Sequence, residues 1–329
     1  MRSGTDLVTG GAGFIGNELV RQLASAGRHV IVLDDLSTGR RDNLKGCAAE
    51  LVVSSMMDRG IVADCIRRAE RVFHLACLGL RRSLFDPLGV HHVNATGTLV
   101  VLEEARKAEI ARFVHVSSSE VYGTARYAPI DEMHTTLPTT PYGASKLAGE
   151  AYARAAYLLF GLPVVVLRPF NAFGPRAHHE GDSGEVIPKF LLRAALGRPL
   201  IVFGDGCQTR DFTHVSDTAR AIQWAAEEDT VIGETLNIGS GVEISVNDLA
   251  CLMREVAGSS SPTIHEASRP GDVRRLIADS GKARDALGWS PRISLADGLR
   301  TLYEDLVRSG QSIEELLASE VIHNWVGAR

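Results

Sequence analysis

The stretch TGGAGFIG, residues 9–16, decides how the chain folds. Asp6-Leu7-Val8 before it reads as the end of a β-strand. After it, Ile15, Leu19 and Leu23 keep helical spacing over 14–26. Strand, glycine-rich turn and helix form the arrangement that holds a dinucleotide pyrophosphate. Gly10 permits the tight turn, Gly13 lets the backbone approach the phosphates without a Cβ in the way, and Gly16 lets helix and strand pack closely. The helix start then offers free N–H groups and a partial positive charge to an anion.

Outward from this turn, HVIVL (29–33) is a second apolar run that ends in Asp34-Asp35. Asp34 lies 18 residues past Gly16. An acidic side chain at that distance accepts hydrogen bonds from the adenosine ribose hydroxyls and repels a 2′-phosphate, which favours NAD over NADP. Arg40 and Arg41 follow closely and offer the alternative, a partner for a 2′-phosphate. Further strands are expected at 51–53, 71–75, 112–116 and 162–167, with long amphipathic helices over 90–107 and 142–160. Nearly all-apolar strands alternating with helices imply a parallel sheet covered on both faces. Ligands in such sheets sit at the carboxyl ends of the strands. The glycine turn, Asp34, residues 74–77 and residues 117–120 all fall at such ends.

Beyond Arg168 the alternation stops. Residues 169–213 are rich in Gly, Pro and charge, with one short helix at 187–195. A helix over 215–226 capped by Ser216, a turn at 237–241, a helix over 245–256, a loop at 269–272 and helices at 280–288 and 294–309 follow. The fold class expected is α/β: a Rossmann-like doubly wound parallel sheet with a smaller mixed α/β lobe that covers the crevice.

Composition excludes several functions. With 45% hydrophobic residues and a net charge of −5 without a basic stripe, nucleic acid is not the partner. No apolar run reaches the roughly 18 residues that span a bilayer. Met1 to Thr5 lead straight into the first strand and leave no room for a leader. The five cysteines are scattered and none form Cys-x-x-Cys, so they read as reduced thiols in a cytoplasmic protein. His178-His179-Glu180-Gly181-Asp182 has the residue types of a metal cluster. Adjacent histidines point in different directions, however, so no metal is expected and the stretch reads as a substrate-covering loop.

YGASK (142–146) puts Tyr142 and Lys146 four apart, on one face of a helix. A phenol of pKa about 10 is a poor base at neutral pH. A nearby ammonium and a cationic nicotinamide would stabilise the phenolate, which would then take the proton from a sugar hydroxyl as that carbon is oxidised. Ser118, at the end of the 112–116 strand, would hydrogen-bond the same hydroxyl.

With these residues in hand the chain resembles the extended short-chain dehydrogenase/reductase family, in its NAD-dependent nucleotide-sugar epimerase/dehydratase branch, and within it the UDP-glucose and UDP-glucuronate 4-epimerases. The matching motifs are GGAGFIG (10–16), LDDLSTG (33–39), HLA (74–76), VNATGT (93–98), SSSEVYG (117–123), YGASK, RPFNAFGP (168–175), GDGCQTRDFTHV (204–215), NIGSG (237–241) and RPGD (269–272). The resemblance implies an NAD-binding domain over 1–170 and 214–236, and a lobe of 171–213 and 237–329 that grips a nucleoside-diphosphate sugar. It implies a homodimer through the long helices near 91–107 and 142–160. It makes Ser118, Tyr142 and Lys146 the catalytic trio and adds Phe14, Ile15, Leu75, Ala76 and Asn94 to the cofactor-binding set. Ser119, Asn171, Val186, Arg210, Arg269 and Asp272 match positions around the nucleotide sugar. Two arginines in loops of the covering lobe suit a diphosphate on physical grounds as well.

Departures bear on the reaction. Where the family often has a Gly-Asp pair for the adenine, this chain has Ser54-Ser55-Met56-Met57-Asp58. The chemistry implied is transient oxidation at C4. The 4-ketosugar then takes hydrogen back on the other face, loses water across C5 and C6, or, as a hexuronate, loses carbon dioxide. Glu120, two residues past Ser118, is a candidate base for the C5 proton and points to dehydration or decarboxylation. Ser119 stands where the dehydratase pattern has an acid, and the rest of the sequence resembles the 4-epimerases, so a 4-epimerase is expected. Arg176 would pair with a C6 carboxylate if the sugar were a hexuronate. A non-catalytic NAD-binding regulator is the alternative of another class, which the intact trio opposes.

Overall fold

The computed structural model describes residues 4–326. Residues 1–3, read above as leaving no room for a leader, and 327–329, the last of the expected lobe, lie outside the described residues. The chain runs β1 (Thr5–Thr9), α1 (Phe14–Ser25), β2 (His29–Asp34), β3 (Ala49–Val53), α2 (Arg59–Arg68), β4 (Arg71–His74), α3 (Leu80–Ser83), α4 (Pro87–His91), α5 (Thr98–Lys107), β5 (Arg112–Val116), α6 (Pro141–Phe160) and β6 (Val164–Pro169). It continues through β7 (Asn171–Phe173), α7 (Val186–Ala195), β8 (Leu200–Phe203), β9 (Thr209–His214), α8 (Val215–Ala225), β10 (Thr235–Ile238), β11 (Glu243–Ser245), α9 (Val246–Ala257), β12 (Thr263–Glu266), α10 (Gly281–Leu287), α11 (Leu295–Arg308) and α12 (Ile313–Ala318).

Seven parallel strands form the main sheet in the order β10-β6-β5-β4-β1-β2-β3, which is the α/β class that the alternation implied. The order reverses direction between β1 and β4, and a crevice opens at such a switch point. One face is sealed by α1 and α8 through Leu19, Leu23, Ala219 and Ile222; the other by α2, α5 and α6 through Ile66, Val101, Leu102 and Ala153. The small mixed sheet β11-β9-β7 and the pair β12-β8 pack with α7, α9 and α11 around a separate core of Phe190, Leu249, Met253 and Leu299.

Three local readings change. The helix expected over 90–107 is α4, a wide π-turn at His92–Gly97 and then α5. Inside that turn Asn94 donates to the Leu78 carbonyl (3.0 Å) and accepts its N–H (2.8 Å), contacts that a regular helix would not aim at one backbone unit. β10 carries the chain back into the main sheet where a turn was expected. Its Asn237 side chain is buried in hydrogen bonds rather than facing solvent, which hid the strand. The cap of α8 is His214, whose ring accepts the Ser216 N–H, because β9 runs directly into the helix.

Helix α6 follows from its sequence. Thr140 caps it through the Gly143 N–H (3.1 Å), Pro141 occupies the first turn, and Gly161 ends it in the left-handed conformation. A Cβ on Gly143 would stand 2.6 Å from the Glu120 carbonyl oxygen, so the helix start presses against the loop after β5. Beneath it, Arg168 at the end of β6 donates to both Glu150 oxygens (2.9 and 2.6 Å) and to the Tyr122 hydroxyl (2.8 Å). Both charged side chains are buried. Removing one partner of such a pair leaves an uncompensated charge. Glu150→Gln is therefore expected to lower stability by about 3 kcal/mol in urea unfolding. Replacing both partners by Leu and Met should lose less than either single change.

Candidate active site

A cavity of about 420 Å³ runs along the carboxyl ends of the main sheet and is closed by the second lobe. Its sheet half is the glycine turn. A Cβ on Gly10 would stand 2.7 Å from the Ala76 backbone, and one on Gly16 would overlap the Gly10 carbonyl oxygen. Helix α1 starts at Gly13 with no side-chain cap, which leaves its first N–H groups to the cavity. Asp34 stands at the rim, where its carboxylate accepts the Ala12 and Leu36 N–H groups (both 2.9 Å). Burial pushes its pKa up, and those two bonds pull it back. Phe14, Ile15, Leu75 and Ala76 line the same half, as do Ser54, Ser55 and Met56. Arg40 is turned away to an ion pair with Glu180 (2.5 Å). His178 and His179 flank that same carboxylate, so the metal-like run is a set of loop-holding contacts.

Ser118, Ser119, Glu120, Tyr142 and Lys146 converge on the middle of the cavity. Burial drives the Tyr142 phenol well above its ordinary range; Cys77, Glu120 and Glu185 add to the rise, and a hydrogen bond with the Ser118 hydroxyl opposes it. The Lys146 ammonium, four residues on along the same helix, donates to the Val116 carbonyl (2.7 Å). Burial also raises the Glu120 carboxyl against the pull of Arg210.

Of the remaining expected residues, Asn171, Val186, Arg210, Arg269 and Asp272 line the cavity. Arg210 is pinned by the carbonyls of Thr209 and Val273 (both 2.8 Å) and paired with Asp272. Burial draws the Arg269 guanidinium down to about 10. Two expected residues are not cavity walls. Asn94 is spent on Leu78 and on the Ser145 hydroxyl (3.1 Å), so it braces the wall from behind. Arg176 adopts a positive φ of 68°, has Arg21 and Glu18 as charged neighbours and does not line the cavity.

The sequence reading missed Arg81 and Glu185, which both line the cavity. Arg81 faces Glu185, Asp272 and Glu120. Glu185 precedes α7 and has no bond to the helix N–H groups; burial pushes its carboxyl up to about 7. The signal for both was weak, an arginine pair after HLA and an acid before a helix, each common on surfaces.

Comparison with known proteins agrees with this geometry. The family model described as GDP-mannose 4,6 dehydratase matches residues 7–302. The UDP-glucose 4-epimerase of Mycolicibacterium smegmatis is 37% identical over 307 residues, 91% of this chain and 97% of that protein. The crystal structure of a UDP-glucose 4-epimerase with UDP-glucose from Thermotoga maritima superposes with a TM-score of 0.90 at 35% identity, covering 93% of this chain and 100% of that one. A dTDP-glucose 4,6-dehydratase of Streptomyces venezuelae with NAD bound has a TM-score of 0.87 at 33% identity, covering 93% of this chain and 97% of that one.

The raised Glu185 carboxyl has a consequence for stability. Between its ordinary value of 4.5 and about 7, the native protein holds a proton that the unfolded chain has lost. This group's contribution is therefore most favourable at low pH and declines as pH rises through about 7. Glu185→Gln, which mimics the neutral form, should match the wild type near about pH 4.5 and exceed it near about pH 8 in chemical denaturation. A difference that does not change with pH would contradict this.

Proposed function

The chain belongs to the extended short-chain dehydrogenase/reductase family, in its group of nucleotide-sugar epimerases and dehydratases, and from its cavity we infer that it is an NAD-dependent nucleotide-sugar 4-epimerase. The observation that carries this reading is the meeting, in one cavity, of the Ser118–Tyr142 pair with a backbone cradle that admits no Cβ. The cradle fits a dinucleotide: Gly10, Gly13 and Gly16 give close approach, the start of α1 faces the phosphates, and Asp34 suits the ribose hydroxyls. Arg40, held by Glu180, is not offered to a 2′-phosphate, which supports NAD. NAD, when bound, supplies the two-electron oxidant for the sugar carbon and keeps it for the return.

The residues of the chain do the rest. Tyr142, as the phenolate, takes the proton of the sugar 4-hydroxyl and gives it back at the end of turnover. Burial favours the neutral phenol, which suits the return, while the Lys146 ammonium and the cationic nicotinamide of bound NAD would favour the phenolate needed at the start. Ser118, beside the phenol, orients the same hydroxyl. Lys146, anchored on the Val116 carbonyl, would bind the nicotinamide ribose. Arg210 and Arg269 face the diphosphate and neutralise it. Ser119 stands where the dehydratase pattern has an acid for the departing C6 hydroxyl, which supports return of hydrogen to C4.

One observation favours a second reading, 4,6-dehydration: Glu120 and Glu185 both line the cavity near Tyr142 and both are raised by burial, an acid and a base in one place. Incubation with UDP-glucose, UDP-galactose and dTDP-glucose in deuterated water separates the two. We expect a 4-epimer of unchanged mass. Loss of water with one solvent deuteron at C5 would replace the epimerase with the dehydratase. Tyr142→Phe should lower turnover by about a hundredfold or more while UDP still binds; a fully active variant would remove Tyr142 from the mechanism.

The reading includes a homodimer through α5 and α6, supported by the exposed Leu99, Tyr152, Leu158 and Leu159. Sedimentation is expected to give the mass of two chains, and a single-chain mass at all concentrations would rule the dimer out.

A further inference from the structure

The segment after α12 crosses back over the second lobe and is fastened at every step. The Gly181 N–H donates to the Ser319 carbonyl (3.2 Å). Arg193 forks onto Glu320 (2.7–3.1 Å), with both side chains nearly buried. Lys189 donates to the Val321 carbonyl (2.7 Å), and His323 meets Glu266 (2.7 Å). Asn324 is buried and donates to the carbonyls of Gly184 (3.0 Å) and Asp182 (3.3 Å). These contacts deliver Trp325 edge-on to Phe203, with ring centroids 4.7 Å apart and an interplanar angle of 89°.

Arg269 sits in the corner these two rings make. Its guanidinium carbon is 5.4 Å from the Phe203 centroid and 5.3 Å from that of Trp325. Its Nε is buried without a hydrogen-bond partner. Arg210, by contrast, is tied down by two carbonyls and Asp272. Ring faces orient a guanidinium while leaving its N–H donors unspent. Arg269 lines the main cavity and also an adjoining one of about 120 Å³, whose wall includes Glu320, Ile322 and Asn324 of the same segment.

We propose that Trp325 is a positioning residue for nucleotide binding: carried in by the segment 319–326, it holds Arg269 against Phe203 with the guanidinium free to meet the diphosphate. The proposal rests on the reading of Arg269 as a diphosphate ligand. Holding a cation in place before the anion arrives removes part of the ordering cost of binding. The effect therefore belongs to nucleotide affinity, not to the chemistry at Tyr142.

The test is UDP binding by calorimetry on the full chain, with steady-state kinetics on UDP-glucose. Trp325→Ala is expected to weaken UDP and raise KM by about tenfold, with the loss falling on KM rather than kcat. Trp325→Phe should recover most of it, because an aromatic face remains. In an Arg269→Ala background, Trp325→Ala should add little. Unchanged UDP affinity in Trp325→Ala, beside a clear loss in Arg269→Ala, would overturn the proposal and leave the diphosphate reading standing. Unchanged affinity in Arg269→Ala would overturn that reading and the proposal with it. Should Trp325→Ala fail to fold, Trp325→Leu decides the same question: it keeps bulk but no π-face, and wild-type affinity would again overturn the proposal.

Discussion

The candidate active site depends on a buried guanidinium that must be neutralised. Arg168 ends β6 beneath the crevice, and a cation there costs several kcal/mol unless its fork is filled. Glu150 fills it from α6, and Tyr122 fills the remaining side while donating to Asn237 of β10 (2.7 Å). The fork geometry fixes the rotation of α6 about its axis. Tyr142, Lys146 and Glu150 are four apart in succession and form one stripe of that helix. With Glu150 committed to Arg168, Lys146 is directed to the Val116 carbonyl and Tyr142 to the cavity. A bidentate contact one or two turns away therefore sets the phenol's position.

The parts of this arrangement that the sequence made legible are those in which a local requirement has no alternative. Gly10 and Gly16 have no room for a Cβ, so the turn carries its signature in composition alone. The central strands are buried on both faces and hence mostly apolar, and alternation with helices implied the parallel sheet. Ser118, Tyr142 and Lys146 stood out as candidates because the expected chemistry needs those types at strand and helix ends, and the fold brings all three to one cavity. Spacing says which side chains share a face, yet not what each one bonds. The lysine–carbonyl contact and the net rise of the phenol followed only from the packing.

The nucleotide half was less legible for a physical reason. Its walls come from loops whose conformations are set by partners far away in sequence. Glu320 lies 127 residues from Arg193, and Val321 lies 132 from Lys189. Nothing local to 319–326 marks it as a wall of a cavity. Arg176 has the right residue type in a motif, but its backbone is left-handed and it does not line the cavity. Asp211, in the middle of TRDFTH, illustrates the same limit. Its carboxylate accepts N–H groups from Ser240, Gly241 and Ala278 (2.8–3.0 Å), so two motif segments shared with nucleotide-sugar enzymes are here held to each other.

Charges of both signs meet in the cavity, and their balance bears on the proposed reaction. Glu120 stands near the phenol and also feels Arg210, Arg81 and Arg269, and Glu185 feels Arg81. A hexuronate would bring a further carboxylate beside Glu120 and Glu185, and like charges in a partly desolvated space raise one another's pKa and oppose entry unless cations offset them. Arg176, the cation that would have offset it, is not in the cavity wall. Arg81 is present but already faces three carboxylates. A sugar without charge at C6 meets none of this opposition, and its 4-hydroxyl needs only the phenol and the serine beside it. The fate of a 4-ketosugar in this cavity therefore turns on how Glu120 and Glu185 share their protons beside Arg81 and Arg210.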